Sequence, residues 1–341
     1  MDPDTARSSA PAAIRLGDGT FANPWPDSAP RGWSDLLRWR RDRRGTVIAP
    51  SPPRNSLSRA TPRIAQPRSR NGEFAATWIG HATVLLQLDG LNVLTDPMFS
   101  QRAFPVQWMG PRRIMDPNPA LEALPPIDVV AISHSHYDHL DRDSVRRLAR
   151  RHPDATWAVP LGLAAYLRPW GVRNVVEFDW WQDEVVVPGL RVTATPARHF
   201  SARRIGDRNR TLWCGFSFAA GERRAWFAGD TAYHPDFGTV GARCGPFDLV
   251  MIPIGAYDPR WFMHVVHVDP EEAVRVYRDV VVAHPAAPPP TCLAIHWGTF
   301  RLTDEPIDEP PARTRACWSA AGLPESRLWI ADFGETRMIS P

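Results

Sequence analysis

The chain has 341 residues, of which 43% are hydrophobic, and a formal net charge of +3. That length buries a substantial core in one large domain or two, and a nearly balanced charge excludes a nucleic-acid groove running through the whole body. All 40 basic residues are arginine, so lysine chemistry such as a Schiff base is excluded.

No apolar run reaches the ~18 residues that a membrane-spanning helix needs. The first residues, Met1 to Ala13, carry acids and prolines and no apolar segment, which does not read as a secretory signal and points to the cytoplasm. Cys214, Cys244, Cys292 and Cys317 are scattered without C-x-x-C spacing and read as reduced, packed thiols.

Residues 1–30 are small, polar and proline-rich, and are expected to be disordered. A basic, proline-rich arm follows over 31–72. Residues 1–70 hold 13 Arg against 6 acids, whereas 71–341 hold 27 Arg against 31. A short helix is predicted from Trp33 to Arg44, with Trp33, Leu36 and Leu37 on one face continued by Arg40 and Arg44. Such a segment lies in a membrane interface or docks on its own domain. The basic arm suits an anionic surface, and equally reads as a solvated linker.

The body runs over 73–341. Strands are predicted near 74–79, 82–88 and 91–95, with Asp89-Gly90 as the hairpin turn. Alternation follows: strand 128–133, helix 142–151, strand 155–159 and helix 161–167. Further strands are predicted near 174–178, 184–187, 190–195, 211–219 and 224–229. Strand 248–254, helix 270–282, strand 291–296 and a last helix and strand close the chain. Asp269 as N-cap, Pro270 at the first helical position and Glu272 at the third mark the start of the helix at 270. They fix the preceding loop, Gly255 to Val268.

The chemistry concentrates in Ser133-His134-Ser135-His136-Tyr137-Asp138-His139, between an apolar strand and a helix. Imidazole and carboxylate are the donors that hold zinc and similar divalent ions. His199, Asp230 and His296 follow three further apolar runs, at strand ends where α/β sheets open a site. Seven donors exceed one tetrahedral zinc and suit two ions.

The H-x-H-x-D-H motif followed by His, Asp and His resembles the metallo-β-lactamase superfamily of binuclear metallohydrolases. The blocks Trp78-Ile-Gly-His-Ala-Thr83, Met109-Gly-Pro-Arg112, Phe227-Ala-Gly-Asp-Thr231, Ile252-Pro-Ile-Gly-Ala-Tyr257 through His267-Val-Asp-Pro-Glu-Glu272, and Ala294-Ile-His-Trp-Gly-Thr-Phe300 narrow this. They resemble N-acyl-phosphatidylethanolamine-hydrolysing phospholipase D and its bacterial relatives, over roughly residues 74 to 335, with an echo at Asn23-Pro-Trp-Pro26.

The resemblance implies an α/β four-layer αββα sandwich. It implies that His134, His136 and His199 hold one metal, that Asp138, His139 and His296 hold a second, and that Asp230 bridges. Asp96 would orient the metal loop by hydrogen bonding. It also places the loop 255–268 over the centre, where His267 is the candidate contact to a substrate phosphate. His81 approaches the same site, and Tyr137 is a candidate donor to an oxyanion. His152, His234, His264 and His284 remain without a role.

The expected cofactors are two divalent ions, with zinc as the default and iron or manganese also suited. The implied reaction is hydrolysis of an N-acyl-phosphatidylethanolamine-like phospholipid. The alternatives are a lactonase, esterase or amidase of the same fold, and a metal- or lipid-binding protein without turnover. Phe104, Trp108, Met109, Trp261, Phe262 and Met263 are candidates for acyl-chain contact. Expected partners are a phospholipid or other small molecule, a membrane surface met peripherally at its inner face through residues 31–44, no nucleic acid, and room for a homodimer.

Overall fold

The computed structural model describes residues 12–45 and 48–340. Its strands in chain order are β1 (Ile14–Arg15), β2 (Phe21–Ala22), β3 (Phe74–Gly80), β4 (Thr83–Leu88), β5 (Leu91–Thr95), β6 (Val129–Ala131), β7 (Thr156–Pro160) and β8 (Asn174–Phe178). They continue as β9 (Asp183–Val187), β10 (Leu190–Thr195), β11 (Gly215–Ala220), β12 (Arg223–Phe227), β13 (Leu249–Pro253), β14 (Thr291–Ile295), β15 (Leu328–Trp329) and β16 (Thr336–Met338). The helices are α1 (Trp33–Asp42), α2 (Arg142–Arg151), α3 (Ala164–Leu167), α4 (Phe237–Cys244), α5 (Arg260–Met263), α6 (Pro270–Val281) and α7 (Glu309–Ala320).

Two seven-stranded sheets form, in the orders β16-β3-β4-β5-β6-β7-β8 and β15-β14-β13-β12-β11-β10-β9. Each begins as an antiparallel meander and turns parallel, at β5–β6 in one and β12–β13 in the other. Alternate residues of the parallel strands face opposite layers, as period-two side chains must. Val129 and Ala131 face the core between the sheets, and Val130 faces the layer beneath α2. Leu249 and Met251 likewise point inward, while Val250 and Ile252 pack under α4 and α6. The result is the αββα sandwich, with Trp78, Trp213 and Phe216 fully buried at its centre.

The Asp89-Gly90 hairpin forms as expected, with φ of 50° and 80° at its two residues. Helix α6 carries the anticipated capping box: Asp269 accepts from the Glu272 N–H and Glu272 accepts from the Asp269 N–H.

Three local expectations are corrected. The strand expected over 211–219 begins only at Gly215, because the Cys214 N–H turns away to donate to the Ser133 carbonyl at 3.0 Å. The helix expected over 161–167 shrinks to Ala164–Leu167, since Gly162 sits at φ 90°, outside helical space. Helix α4 was not anticipated. Its Phe237, Val240 and Cys244 meet the body at helical spacing within a segment that holds two glycines.

Residues 12–30 are not disordered. Phe21 inserts into the core with 2% exposure, β1 and β2 pair, and Trp25 Nε1 donates to Asp236 at 2.6 Å. Burial of this aromatic anchor outweighs the polar composition that suggested disorder. Residues 1–11 lie outside the described residues. Further along, Arg68 pairs with Asp128 and Arg54 with Asp116, so the arm is laced onto the body. No described helix is long and apolar enough to cross a membrane.

Candidate metal centre

β3, β5, β6, β10, β12 and β14 all end at one edge of the sandwich. The segments that leave these ends carry His81, Asp96, the 133–139 loop, His199, Asp230 and His296 respectively. This is the edge at which the parallel topology leaves loops free to converge.

Asp96 anchors the arrangement. Its carboxylate accepts from the Ser133 N–H at 2.7 Å and the Ser133 hydroxyl at 2.6 Å, and its Oδ2 lies 2.6 Å from His139 Nδ1. Ser133 Oγ also lies 2.9 Å from His134 Nδ1, so Asp96 and Ser133 together fix two imidazoles through their outer nitrogens. At the loop's exit, Asp141 caps α2 by accepting from the Asp143 and Ser144 N–H groups. Gly229 brings Asp230 close. Its φ is 63°, and a Cβ there would stand 2.9 Å from that of Ser133.

Four overlapping groups of donor atoms result among the described residues, among them Asp96 with His134 and His139, and Asp230 with His199 and His267; the other two hold the remaining expected donors. His134, His136 and His199 form one, with His134 Nε2 to His136 Nδ1 at 2.8 Å and His199 Nε2 to His136 Nδ1 at 3.2 Å. Asp138, His139, His296 and His81 form the other, with His139 Nε2 to His296 Nε2 at 3.2 Å. Asp230 Oδ2 lies between them, 3.1 Å from His139, 3.2 Å from His296, 3.9 Å from His134 and 3.8 Å from His199.

Burial and mutual repulsion among the imidazoles hold His134 well below its usual pKa and His136 at about 3. His199 is held at about 4 by burial, against the pull of Asp230. These three are therefore neutral and keep lone pairs for a cation. Burial also opposes a charge on His139 and His296, but the carboxylates around them outweigh it; His296 is raised to about 9. Burial pushes the Asp138 and Asp230 carboxyls upward, yet the neighbouring imidazoles bring both well below the ordinary range. Asp230 Oδ1, His296 Nδ1 and His267 Nδ1 are buried without a hydrogen-bond partner among the described residues. Ring nitrogens facing one another at hydrogen-bond distance, beside buried anionic oxygens, are the donor set that divalent cations satisfy.

The structure brings all seven expected donors together. His81 joins them, its Nε2 3.0 Å from Asp138 Oδ2, and its carbonyl accepts from the His296 N–H at 3.0 Å. His267 also arrives, its Nε2 3.7 Å from Asp230 Oδ2. Tyr137 does not face the cluster as an open donor: its hydroxyl donates to the Arg203 carbonyl at 2.7 Å. His234 lies elsewhere, stacked between Trp25 and Phe237.

Two residues at the site were missed in the sequence. Arg260 donates to the His267 carbonyl at 2.9 Å and pairs with Glu272 and Asp269, which holds the loop 255–268 against the start of α6. Arg203 donates to the Ser135 and Leu140 carbonyls at 3.1 and 2.6 Å, so it grips both ends of the metal loop. Arg260 lies on the loop 255–268 that the sequence reading places over the centre, with no role of its own there, and among 40 arginines nothing in the sequence distinguishes Arg203.

A family model described as the Beta-lactamase superfamily domain matches residues 91–297. An uncharacterised protein of Mycobacterium tuberculosis is 41% identical over 320 residues, covering 92% of this chain and 82% of its own. N-acyl-phosphatidylethanolamine-hydrolyzing phospholipase D 1 of Caenorhabditis elegans is 39% identical over 278 residues, covering 78% of this chain and 76% of its own. Among solved structures, the metallo hydrolase Igni18 of Ignicoccus hospitalis superposes with a TM-score of 0.58 at 18% identity, covering 79% of this chain and 99% of its own. With this fold, this donor cluster and these relatives, the chain belongs to the β-lactamase superfamily, as a metal-dependent hydrolase of the metallo-β-lactamase fold.

Proposed function

We propose that this protein is a binuclear metal-dependent phosphodiesterase of the phospholipase D type, acting on N-acyl-phosphatidylethanolamine-like phospholipids. The observation that carries the reading is the complete donor set on a chain 39% identical, over 278 residues, to a phospholipase of that specificity. His134, His136 and His199 would hold one ion, Asp138, His139 and His296 the other, and Asp230 would be shared. Zinc suits these nitrogen and oxygen donors. Two bound divalent ions supply water ionised near neutral pH and positive charge for the phosphoryl oxygens.

The chain's own groups supply the rest. Asp96 and Ser133 fix the tautomers of His139 and His134. His267 is held neutral by burial, so one ring N–H is available to donate to a phosphoryl oxygen. Hydrolysis breaks the bond from phosphorus to the ethanolamide oxygen, which leaves with a proton as N-acylethanolamine, while the hydroxyl from water stays on phosphatidic acid. The same reading makes residues 31–44 a peripheral membrane contact at the inner face. Helix α1 seats Trp39 on Phe262 and Asp304, and leaves Trp33 and Leu37 exposed on its other side.

The test is turnover by metal-analysed protein on N-acyl-phosphatidylethanolamine beside a panel of lactones, esters and amides. Release of N-acylethanolamine and phosphatidic acid, with about two ions per chain, is expected. Hydrolysis of a lactone, ester or amide with no phospholipid turnover overturns the substrate.

A further inference from the structure

A cavity of about 480 Å³ lies beside the metal loop at the start of α2. None of the seven metal-donor residues lines it. Its walls carry Arg142, Arg146, Arg203 and Arg204, with Phe104 and Trp170 beside them. Two acids also line it, and both are engaged elsewhere. Asp141 accepts from the Ser100 N–H and hydroxyl and caps α2. Asp143 faces Arg147 at 3.3 Å. None of the four arginines forms an ion pair among the described residues. The guanidiniums of Arg142, Arg146 and Arg204 around one concave space repel one another and present fork-shaped donors matched to a phosphate, while Arg203 is committed to the carbonyls of Ser135 and Leu140.

The cavity's rim differs from its walls. Gln107 in the lining leads directly to Trp108 and Met109, which are 76% and 45% exposed, and Arg204 leads to Ile205, which is fully exposed. Exposed apolar side chains on two rim loops, above a cationic interior, match the boundary between a lipid headgroup and its acyl chains. Free phosphate has no use for that rim.

We propose that this cavity is a binding site for the phosphate headgroup of an anionic phospholipid, separate from the metal centre. Trp108, Met109 and Ile205 enter the interface, and Arg142, Arg146 and Arg204 take the headgroup oxygens. Arg203 joins the two sites, because the guanidinium lining the cavity also grips the carbonyls of Ser135 and Leu140 and lies 4.1 Å above the Tyr137 ring. The site does not depend on which bond the metal centre cleaves.

The experiment is co-sedimentation of the full chain with phosphatidylcholine vesicles, with and without phosphatidic acid. The protein is expected to pellet with the anionic vesicles. Arg146→Ala combined with Arg204→Ala should weaken this about tenfold or more. Arg63→Ala combined with Arg315→Ala, two arginines outside the cavity, should change it little. Sodium phosphate should release the protein more than sodium chloride at equal ionic strength. Metal content on the same preparations confirms an intact fold. Unchanged binding by the cavity variant, an equal loss in the control variant, or equal release by the two salts overturns the site. Calorimetric binding of inorganic phosphate without vesicle binding assigns the cavity to a soluble phosphate compound and overturns the lipid.

Discussion

Asp96 Oδ2 lies 2.6 Å from Nδ1 of His139, and neither side chain has any exposure to solvent. Burial raises the Asp96 pKa, but hydrogen bonds and charge from His139 and Ser133 oppose that. The carboxylate therefore presents His139 with its Nε2 aimed at Asp230. Asp96→Asn keeps the shape and removes the charge. It should lower metal affinity by about ten- to a hundredfold with secondary structure retained, because an outer partner of a ligand is lost. Metal titration with circular dichroism on the same samples checks this; unchanged affinity removes the orienting role.

Asp230→Asn tests the shared position. The carboxylate offers two anionic oxygens, whereas the amide offers one neutral oxygen and a donor. With Oδ2 within 4 Å of His134, His139, His199 and His296, the substitution acts on both donor groups at once. Activity should fall at least about a hundredfold with the fold retained. Turnover near that of the parent shows that Asp230 is not shared.

His267 and His296 both approach Asp230 Oδ2, at 3.7 and 3.2 Å, yet they are expected to respond differently. His296→Ala should lose an ion together with activity. His267→Ala should keep the metal content and lose roughly ten- to a thousandfold in turnover, as for a missing transition-state donor. Equal metal loss in the two variants makes His267 a ligand or a support. Full activity of His267→Ala on a phosphodiester removes the loop 255–268 from phosphate recognition.

The strand ends and the donors on them were legible because each donor follows a short apolar or alternating run bounded by turn residues, which reads as a strand. The helix at 270 was legible from Asp269, Pro270 and Glu272, whose capping is local chemistry. What escaped depends on distant partners. Arg203 reaches Ser135 and Leu140 across more than sixty residues of sequence, and Arg260 matters only because the loop folds back onto Glu272. Helix α4 escaped because Gly238 and Gly241 argue against a helix on propensity. Packing decides instead: a Cβ on Gly241 would stand 2.0 Å from the Val280 carbonyl oxygen, so glycine is what lets α4 approach α6. Residues 12–30 are ordered despite their polar composition, because average composition does not register one buried phenylalanine.

That phenylalanine gives a stability prediction. Phe21 is 2% exposed in the core between the sheets, and its N–H donates to the Asn209 carbonyl. Phe21→Ala should cost about 3–5 kcal/mol, the range for a truncated buried aromatic. Denaturant unfolding measures it. A loss below about 1 kcal/mol would mean that the segment detaches freely and that its packing adds little to the fold.

The last prediction separates the arm's two faces. Trp39 Nε1 on α1 and the guanidinium of Arg43 just past its end meet Asp304, and Arg38 lies over Trp261, so one side is committed to the body. Trp33 and Leu37 stand on the other side at 79% and 62% exposure. They are the groups a membrane interface would bury. Deleting residues 1–44 would disturb the body as well, because residues 12–30 carry Phe21 and also Asn23, whose side-chain N–H donates to the carbonyl of His199 at 2.9 Å. Trp33→Ser combined with Leu37→Ser removes only the exposed pair. Hydrolysis of a short, water-soluble substrate should stay within about twofold of the parent, since surface changes of this kind cost little stability. Association with anionic vesicles should weaken roughly tenfold or more, as two large apolar groups leave the interface. Trp39→Ala gives the contrast: it should loosen the helix from Phe262 and affect turnover of soluble substrate as well. If vesicle association is unchanged in the double variant, the helix serves to cover the loop 255–268 and is not a membrane contact.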